Sequence, residues 1–372
     1  MYIGIDCRLP FYQLGGISQY IIHLLPAIAE VDDENWYTLG HMWKDQRSYL
    51  PFGKKCFERL NLLTPCHHRL EKIALGLELR ASLRPLDVWH SPDFIPPRFV
   101  KRRVITVHDL TFIHYPQFLD EGSRRYYLEQ IEWAVKTADH ISADSEHTRQ
   151  DLINLLNVPP EKVTTVHLAV NPLYQRPYTA EEITATLAQH NLPHGFILAV
   201  GTLEPRKNLP TLLKAYAQLR AEQMLDVPLV LVGRKGWLYD EIFETIDKLG
   251  LRENVHHLEG IFDESLAHLY HAAGVLVTPS HYEGFGLPAL EALTCGCPVI
   301  VSNRGSLPEI AGEAGLLLDA DDVAAWAEAI GRVLTDSALR ETMIQAGLGH
   351  AQTFSWGKAA AQTLAIYQQV VA

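Results

Sequence analysis

A short apolar run, closed by small or polar residues, recurs from one end of this chain to the other, and a helical pattern separates many of the repeats. YIGID (2–6), VITVHDL (104–110), HISADS (140–145), VTTVHLAV (163–170), FILAVG (196–201), PLVLVG (228–233) and VLVTPS (275–280) are the clearest, with DVWHSP (87–92), VHHLEG (255–260) and a run near 37–40 weaker. Runs this short and this apolar read as strands buried on both faces, which is the signature of parallel sheets. Between them, Ser18 can cap a helix to about residue 30 with Tyr20, Ile21, Leu24, Leu25 and Ile28 as its stripe, and further helical patterns cover 120–138 and 146–157. The fold class that follows is α/β with parallel sheets. A length of 372 residues suits two such domains, and NPLYQRPY (171–178), with two prolines and little periodicity, reads as the linker.

Several function classes fall away. No run of 18 apolar residues is present, and the first strand begins at once, with no basic region and apolar stretch of a signal peptide before it. Five scattered cysteines argue for a reducing cytoplasm rather than a disulfide framework, and Cys295 and Cys297 read as small core residues. A net charge of −12 argues against nucleic acid as a partner. No G-x-x-x-x-G-K-[ST] occurs, and Gly15-Gly16 is too little for a dinucleotide fingerprint. The charge is uneven, however: residues 44–103 carry 13 Lys or Arg against 6 Asp or Glu. Within that stretch, residues 70–83 form a helical pattern with Leu70, Ile73, Ala74, Leu77 and Leu83 as apolar positions. It reads as a core helix with a solvated basic face, or as a peripheral contact with an anionic membrane or a lipid-linked acceptor.

The chemistry concentrates in GVLVTPSHYEGFGLPALEALTCGCPVIVSN (274–303). Two strands flank a loop and a short helix; Pro288 suits the first helical turn and Gly296 the exit. Glu283 falls on the loop and Glu291 on the helix, while the backbone N–H groups of Gly284, Phe285, Gly286 and Leu287 point out of the helix N-terminus. Amides with a carboxylate on either side make a seat for an anion that carries hydroxyl-bearing groups, so the carboxylates are assigned to a sugar and a ribose. In the loop after the strand at 196–201, Arg206 and Lys207 supply cations suited to a diphosphate. His108 and Asp109 follow a strand at its carboxyl end, where parallel sheets bind ligands; Asp109 is equally suited to capping a turn, and Asp6 has a similar strand-end position. Asp319 and Asp321 match D-x-D formally, but capping of the following helix explains them better than a metal.

The seven residues between Glu283 and Glu291, with GFGLP among them, resemble the EX7E motif of the retaining GT-B glycosyltransferases, in particular glycosyltransferase family four. The resemblance extends over nearly the whole chain. It implies two Rossmann-like domains facing a deep interdomain cleft: an acceptor-side domain at 1–172, a donor-binding domain at 173–352, and a final helix at 353–372 that crosses back to the first. It implies that Glu283 and His108 lie at the donor sugar, that the amides of residues 284–287 hold sugar and diphosphate, and that Glu291 binds the ribose. It also implies that the loop at Gly16 and the loop from Gly201 face the donor, and that residues 260–264 meet the nucleobase. Many members continue this second loop as Gly-Arg; here Thr202 follows Gly201, so Lys207 is carried over and Arg206 is the suggested replacement for the missing arginine. The expected activity is retaining, metal-independent and cofactor-free. A hexose, with mannose among the candidates, passes from a GDP- or UDP-linked donor to a glycan or lipid-linked acceptor, in the cytoplasm or at the inner membrane face. A GT-B nucleotide-sugar epimerase and a non-catalytic nucleotide-sugar-binding protein are the alternatives.

Overall fold

The computed structural model describes residues 1–12, 15–45, 56–82, 85–223 and 226–372. They form two compact units, one made of residues 1–169 and 355–372 and the other of 170–354. The first holds a sheet of seven parallel strands: β1 (Tyr2–Asp6), β2 (Trp36–Met42), β3 (Phe57–Leu62), β4 (Val88–Ser91), β5 (Arg103–Val107), β6 (His140–Ala143) and β7 (Val163–Thr165), in the order β3-β2-β1-β4-β5-β6-β7. The second holds six: β8 (Ile197–Val200), β9 (Leu229–Val232), β10 (Val255–Leu258), β11 (Val275–Thr278), β12 (Val299–Ser302) and β13 (Leu316–Leu318), in the order β10-β9-β8-β11-β12-β13. Both are Rossmann-like, and in both the strand order reverses beside the first strand, between β1 and β4 and between β8 and β11. Adjacent connections there leave in opposite directions, which opens a crevice at the strand carboxyl ends.

In the first unit the sheet is built around the indole of Trp89, which is fully buried on β4. A Cβ on Gly4 of the neighbouring β1 would lie 2.3 Å from Trp89 Cε3, so only glycine leaves room for the ring. Asp6, at the end of β1, grips Arg8 through both carboxylate oxygens, and Arg8 Nη2 also donates to Glu71 Oε1 at 2.7 Å. All three side chains are buried. The strand-end carboxylate of Asp6 is therefore already engaged by Arg8.

Glu71 changes the outcome for the helix that follows it, Glu71–Ala81. The apolar positions Leu70, Ile73 and Leu77 were expected to face the core, but they are 58%, 39% and 53% exposed. The helix instead turns Glu71, Leu75, Gly76 and Leu79 inward. Arg8 draws Glu71 in, and Gly76 packs so closely on Arg98 that a Cβ would lie 2.0 Å from its carbonyl oxygen. Of the basic stretch at 44–103, residues 46–55 and 83–84 lie outside the described residues.

Other local expectations also need correction. Gly15, not Ser18, stands at the N-cap of helix Gly16–Val31, and Ser18 is buried within the helix. β3, with the sequence FERLNL, was not expected, and neither was helix Ser337–Ala351. Residues 171–178 are not a bare linker. Tyr174 is buried and edge-on to Tyr270, and Asn171 Nδ2 donates to Asp263 Oδ2 at 2.9 Å, all within the second unit. Among the described residues no helix is long and apolar enough to cross a membrane.

The last helix, Trp356–Val371, belongs to the first unit, where it packs on helix Gly16–Val31. Its anchor is a buried polar chain: Tyr367 OH lies 2.6 Å from His90 Nδ1, His90 Nε2 lies 2.9 Å from Thr106 Oγ1, and Thr106 Oγ1 lies 3.1 Å from Tyr20 OH. Burial, with help from the charge on His108, lowers the His90 pKa to about 3, so the ring is neutral and needs one donor and one acceptor partner. Replacing Tyr367 by Phe orphans Nδ1 and should destabilise the first unit by about 1–3 kcal/mol. The measurement is a lower urea midpoint by tryptophan fluorescence; an unchanged midpoint would contradict the anchoring role.

Candidate active site

The switch point of the second sheet brings together Gly201, Arg206, Lys207 and Glu283, whereas residues 260–264 follow the edge strand β10. Gly201 follows β8, and after Thr202, Leu203 and Glu204 the chain makes a tight turn, Pro205–Lys207, which closes on Asn208 in the left-handed region. The Asn208 side chain pins that turn by donating to Pro279 O at 3.2 Å and Ala320 O at 2.8 Å. Pro279 and Ser280 follow β11 beside it, and a small recess between the two strand ends is lined by Gly201, Lys207, Thr278 and Ser280 among others.

Glu283 sits at the centre, with 6% of its surface exposed. Its Oε1 accepts from Lys207 Nζ at 2.6 Å and Ser280 Oγ at 2.7 Å, and its Oε2 accepts from Arg206 Nη1 at 2.7 Å. Burial by itself would raise this carboxyl. The Arg206 guanidinium and the Lys207 ammonium, with hydrogen bonds from Lys207 and Ser280, outweigh burial and hold the pKa at about 2. Glu283 is thus ionised at any working pH. Its backbone is equally constrained: Ser306 N and Oγ donate to Glu283 O at 3.1 and 2.9 Å, and Gly305, at φ 60°, lies so close that a Cβ would stand 2.7 Å from the same oxygen.

The two cations differ in what they have left to offer. Arg206 directs Nε and Nη2 to Glu204 Oε1 at 3.0 and 2.6 Å, and Nη1 to Tyr282 O and Glu283, so it is held between two carboxylates. Lys207 extends across Gly201, where a Cβ would lie 3.1 Å from Nζ, and lines the recess; one of its three N–H groups goes to Glu283 Oε1. Gly201, at φ 143°, is glycine for that reason as well as for its backbone conformation. Thr202 is half-buried beside it.

Helix Leu287–Thr294 begins behind Gly286, which takes φ 101°. Gly284, Phe285 and Gly286 are buried and Leu287 is half-buried; the Phe285 ring packs edge-on against Phe354, 6.0 Å between centroids, and so serves the core. Glu291 lies in the second turn, where Oε2 accepts from Tyr270 OH at 2.8 Å. Burial raises its carboxyl to about 7; the Tyr270 hydrogen bond opposes this and the nearby charge of Asp263 adds to it. Two glutamates eight positions apart therefore have opposite electrostatics, one locked in the ionised form and one poised near neutrality.

Lys235 and Arg234 follow β9, but the Lys235 ammonium lies over the rings of Tyr239 and Phe243 at 5.2 and 4.7 Å. Asp319 accepts from Asp321 N at 3.0 Å and pairs with Arg304, a turn role, but the cap of helix Val323–Thr335 is Asp322, one residue beyond the D-x-D, which corrects the expectation that Asp319 and Asp321 cap that helix.

In the first unit, His108 follows β5 and is half-buried. Its Nδ1 lies 2.6 Å from Asp144 Oδ2 and its Nε2 lies 2.9 Å from Pro92 O. A carboxylate and a carbonyl offer no proton, so both ring nitrogens donate and the ring is an imidazolium. Burial alone would lower its pKa; the Asp144 charge and hydrogen bond, then the Pro92 carbonyl, raise it to about 9. Both N–H groups face protein acceptors, so in this arrangement His108 offers charge rather than a hydrogen bond to a hydroxyl. Asp109 accepts from Thr111 N at 2.9 Å, the turn-capping role. Gly16 opens helix Gly16–Val31 and is exposed.

Sequence reasoning missed Glu204, Ser280, Gly305 and Ser306 around Glu283, and Asp144 beside His108. Ser280 and Asp144 both follow strand ends, so the rule that singled out His108 also pointed to them. Glu204 and Ser306 act through pairings that no local pattern announces.

Comparison with known proteins agrees with this architecture. Residues 185–349 match the glycosyl transferases group 1 and residues 14–172 match Glycosyltransferase Family 4. The chain is 38% identical over 283 residues to the O-antigen chain mannosyltransferase B of Escherichia coli, covering 76% of this chain and 74% of that one. It is 31% identical over 264 residues to the serotype-specific mannosyltransferase WbdA of Escherichia coli, covering 70% of this chain and 32% of that one. Among solved structures, sucrose-phosphate synthase from Thermosynechococcus elongatus superposes with a TM-score of 0.78 at 24% identity, over 99% of this chain and 98% of that one, which shows the GT-B fold. The chain belongs to the group 1 glycosyltransferases of glycosyltransferase family 4 and is a glycosyltransferase.

Proposed function

We propose that this glycosyltransferase is a retaining, metal-independent hexosyltransferase that moves mannose from a GDP- or UDP-linked donor to a glycan or lipid-linked acceptor. The observation that carries the proposal is the Lys207–Glu283–Arg206 cluster at the β8/β11 switch point, beside the N-terminus of helix Leu287–Thr294. Mannose is favoured because two similar proteins are named mannosyltransferases.

Each group has a defined task. Lys207 places its ammonium against the leaving diphosphate, so charge that develops there is met by a fixed cation with no metal required. Arg206, engaged by Glu204 and Glu283, positions rather than binds. Glu283 accepts hydrogen bonds from donor-sugar hydroxyls, and Glu291 in its ionised form accepts from the ribose. A carboxylate held at about 2 is a weak base and a poor nucleophile, which disfavours a covalent glycosyl intermediate on Glu283. The step that fits is same-face displacement. The bond from the anomeric carbon to the phosphate oxygen breaks with its electron pair going to the diphosphate, the acceptor oxygen bonds to that carbon, and its proton passes to the departing phosphate oxygen.

The acceptor side includes a membrane contact. Leu70, Ile73 and Leu77 form an exposed apolar stripe at helical spacing, and Arg69 and Arg80 are exposed at its ends. That combination suits an anionic bilayer surface, where a lipid-linked acceptor would reside.

Transfer from GDP-mannose to an alkyl mannoside, read by NMR of the product, tests the reaction. An α-linked product from the α-linked donor, formed equally well in EDTA, is expected; a β-linked product, or a strict Mg²⁺ or Mn²⁺ requirement, would contradict it. Glu283→Gln should lower kcat by roughly 100-fold, whereas Glu291→Gln should raise the donor KM about 10-fold with kcat nearly unchanged. In the wild type the donor KM should fall as pH rises through about 7, a dependence absent from Glu291→Gln. Wild-type kinetics in both variants would overturn the assignment. Separately, the chain should float with phosphatidylglycerol liposomes at low salt and should fail to do so with Ile73→Asp/Leu77→Asp; no flotation of the wild type would remove the membrane contact.

A further inference from the structure

The first unit brings together three side chains for which the transfer reaction has no use. His147 and Asp151 lie four residues apart on helix Glu146–Leu156, so they leave one face of the helix a turn apart. His114 ends the short helix Thr111–His114 and meets that face. Both imidazoles converge on a single carboxylate oxygen, with His114 Nε2 2.8 Å and His147 Nε2 3.5 Å from Asp151 Oδ2. One ligand atom from each residue lies within 4.8 Å of those of the other two. The imidazole planes are inclined at only 31°, with centroids 6.3 Å apart.

This geometry is close to what a small cation demands. Bonds of about 2.0–2.2 Å from zinc to imidazole nitrogen and carboxylate oxygen place tetrahedral ligand atoms roughly 3.3–3.5 Å from one another. The His147–Asp151 separation of 3.5 Å already matches that value, and His114, now at hydrogen-bond distance of 2.8 Å, has to draw back by about half an ångström to admit an ion. Two imidazoles and one carboxylate suit Zn²⁺, Co²⁺ or Ni²⁺, whereas Mg²⁺ and Ca²⁺ prefer oxygen ligands throughout. Access is open on one side: the His114 and His147 side chains are 30% and 34% exposed and Asp151 only 11%, so an ion can enter from solvent and keep water at its remaining position.

We propose that His114, His147 and Asp151 form a binding site for a divalent transition metal of the zinc class. The site is structural. His114 lies five residues beyond Asp109, so an ion held there clips the segment that follows β5 to helix Glu146–Leu156. None of its three residues belongs to the Lys207–Glu283–Arg206 cluster, which lies in the second unit.

The test uses the full-length, tag-free chain after chelator treatment. Zinc chloride titrated by calorimetry should show a binding equivalent that disappears in His147→Ala and again in His114→Ala, each weakening that site by about 100-fold or more. Co²⁺ should give visible d–d absorption in the wild type that both variants lose, and zinc should raise the wild-type unfolding temperature but not theirs. The histidines are partly exposed, so both variants are expected to fold, and their circular dichroism checks this. The proposal is overturned if zinc and cobalt do not bind, or if the same number of equivalents binds to the wild type and to both variants. Mannosyl transfer in EDTA is a separate readout, so a failure here leaves the proposed reaction standing and the converse also holds.

Discussion

Glu283 is a carboxylate taken out of water and kept ionised, and the architecture of the second unit serves that end. Burying an unpaired carboxylate is costly enough that the group would normally take up a proton. Here Arg206 and Lys207 reach it from one turn and Ser280 from the segment after β11. Removing any one partner leaves a buried charge undercompensated, so the Pro205–Lys207 turn, the Asn208 brace and the close approach of Gly305 are parts of one device. The device also sets roles: one cation is enclosed between carboxylates and the other is left facing the recess.

Parallel sheets supply the frame in which such a cluster can form. With both sheet faces covered by helices, the strand carboxyl ends are where polar groups can emerge without breaking the core, and a reversal of strand order leaves room between them. The first unit repeats the scheme with different chemistry at its strand ends: the Asp6–Arg8–Glu71 ion group after β1 and the His108–Asp144 pair after β5 and β6. The last helix returns to this unit by packing its buried face on helix Gly16–Val31, and Tyr367 on that face partners the buried neutral His90.

How much of this was legible follows from the range of each interaction. β1, β8, β9, β11 and β12 announced themselves because strands buried on both faces are nearly continuous apolar runs. β3 did not, because FERLNL carries charged and polar residues that a sheet edge tolerates. The loop and helix at 281–294 were readable from Gly286 and Pro288, whose positions are dictated by local backbone geometry. The core-helix reading of Glu71–Ala81 put the wrong face inward, since the group that turns the helix is Arg8, 63 residues away. The pairing of Arg206 with Glu283 spans 77 residues, and that of His108 with Asp144 spans 36. No periodicity encodes such separations, so candidate residues could be named from sequence while their partners, and hence their charge states, could not.

Lys207 is proposed as the working cation of a nucleotide-sugar seat in the second unit. The most direct measurement is the unfolding temperature of the wild type and of Lys207→Met, each against its own ligand-free baseline, with GDP-, UDP-, ADP- and dTDP-sugars. Ligand at about 100 times its Kd stabilises the folded state by roughly 2.7 kcal/mol, a shift large enough to read. The account predicts a rise with one nucleotide class in the wild type and its loss in Lys207→Met. An equal rise in both proteins, or none with any donor, would contradict it.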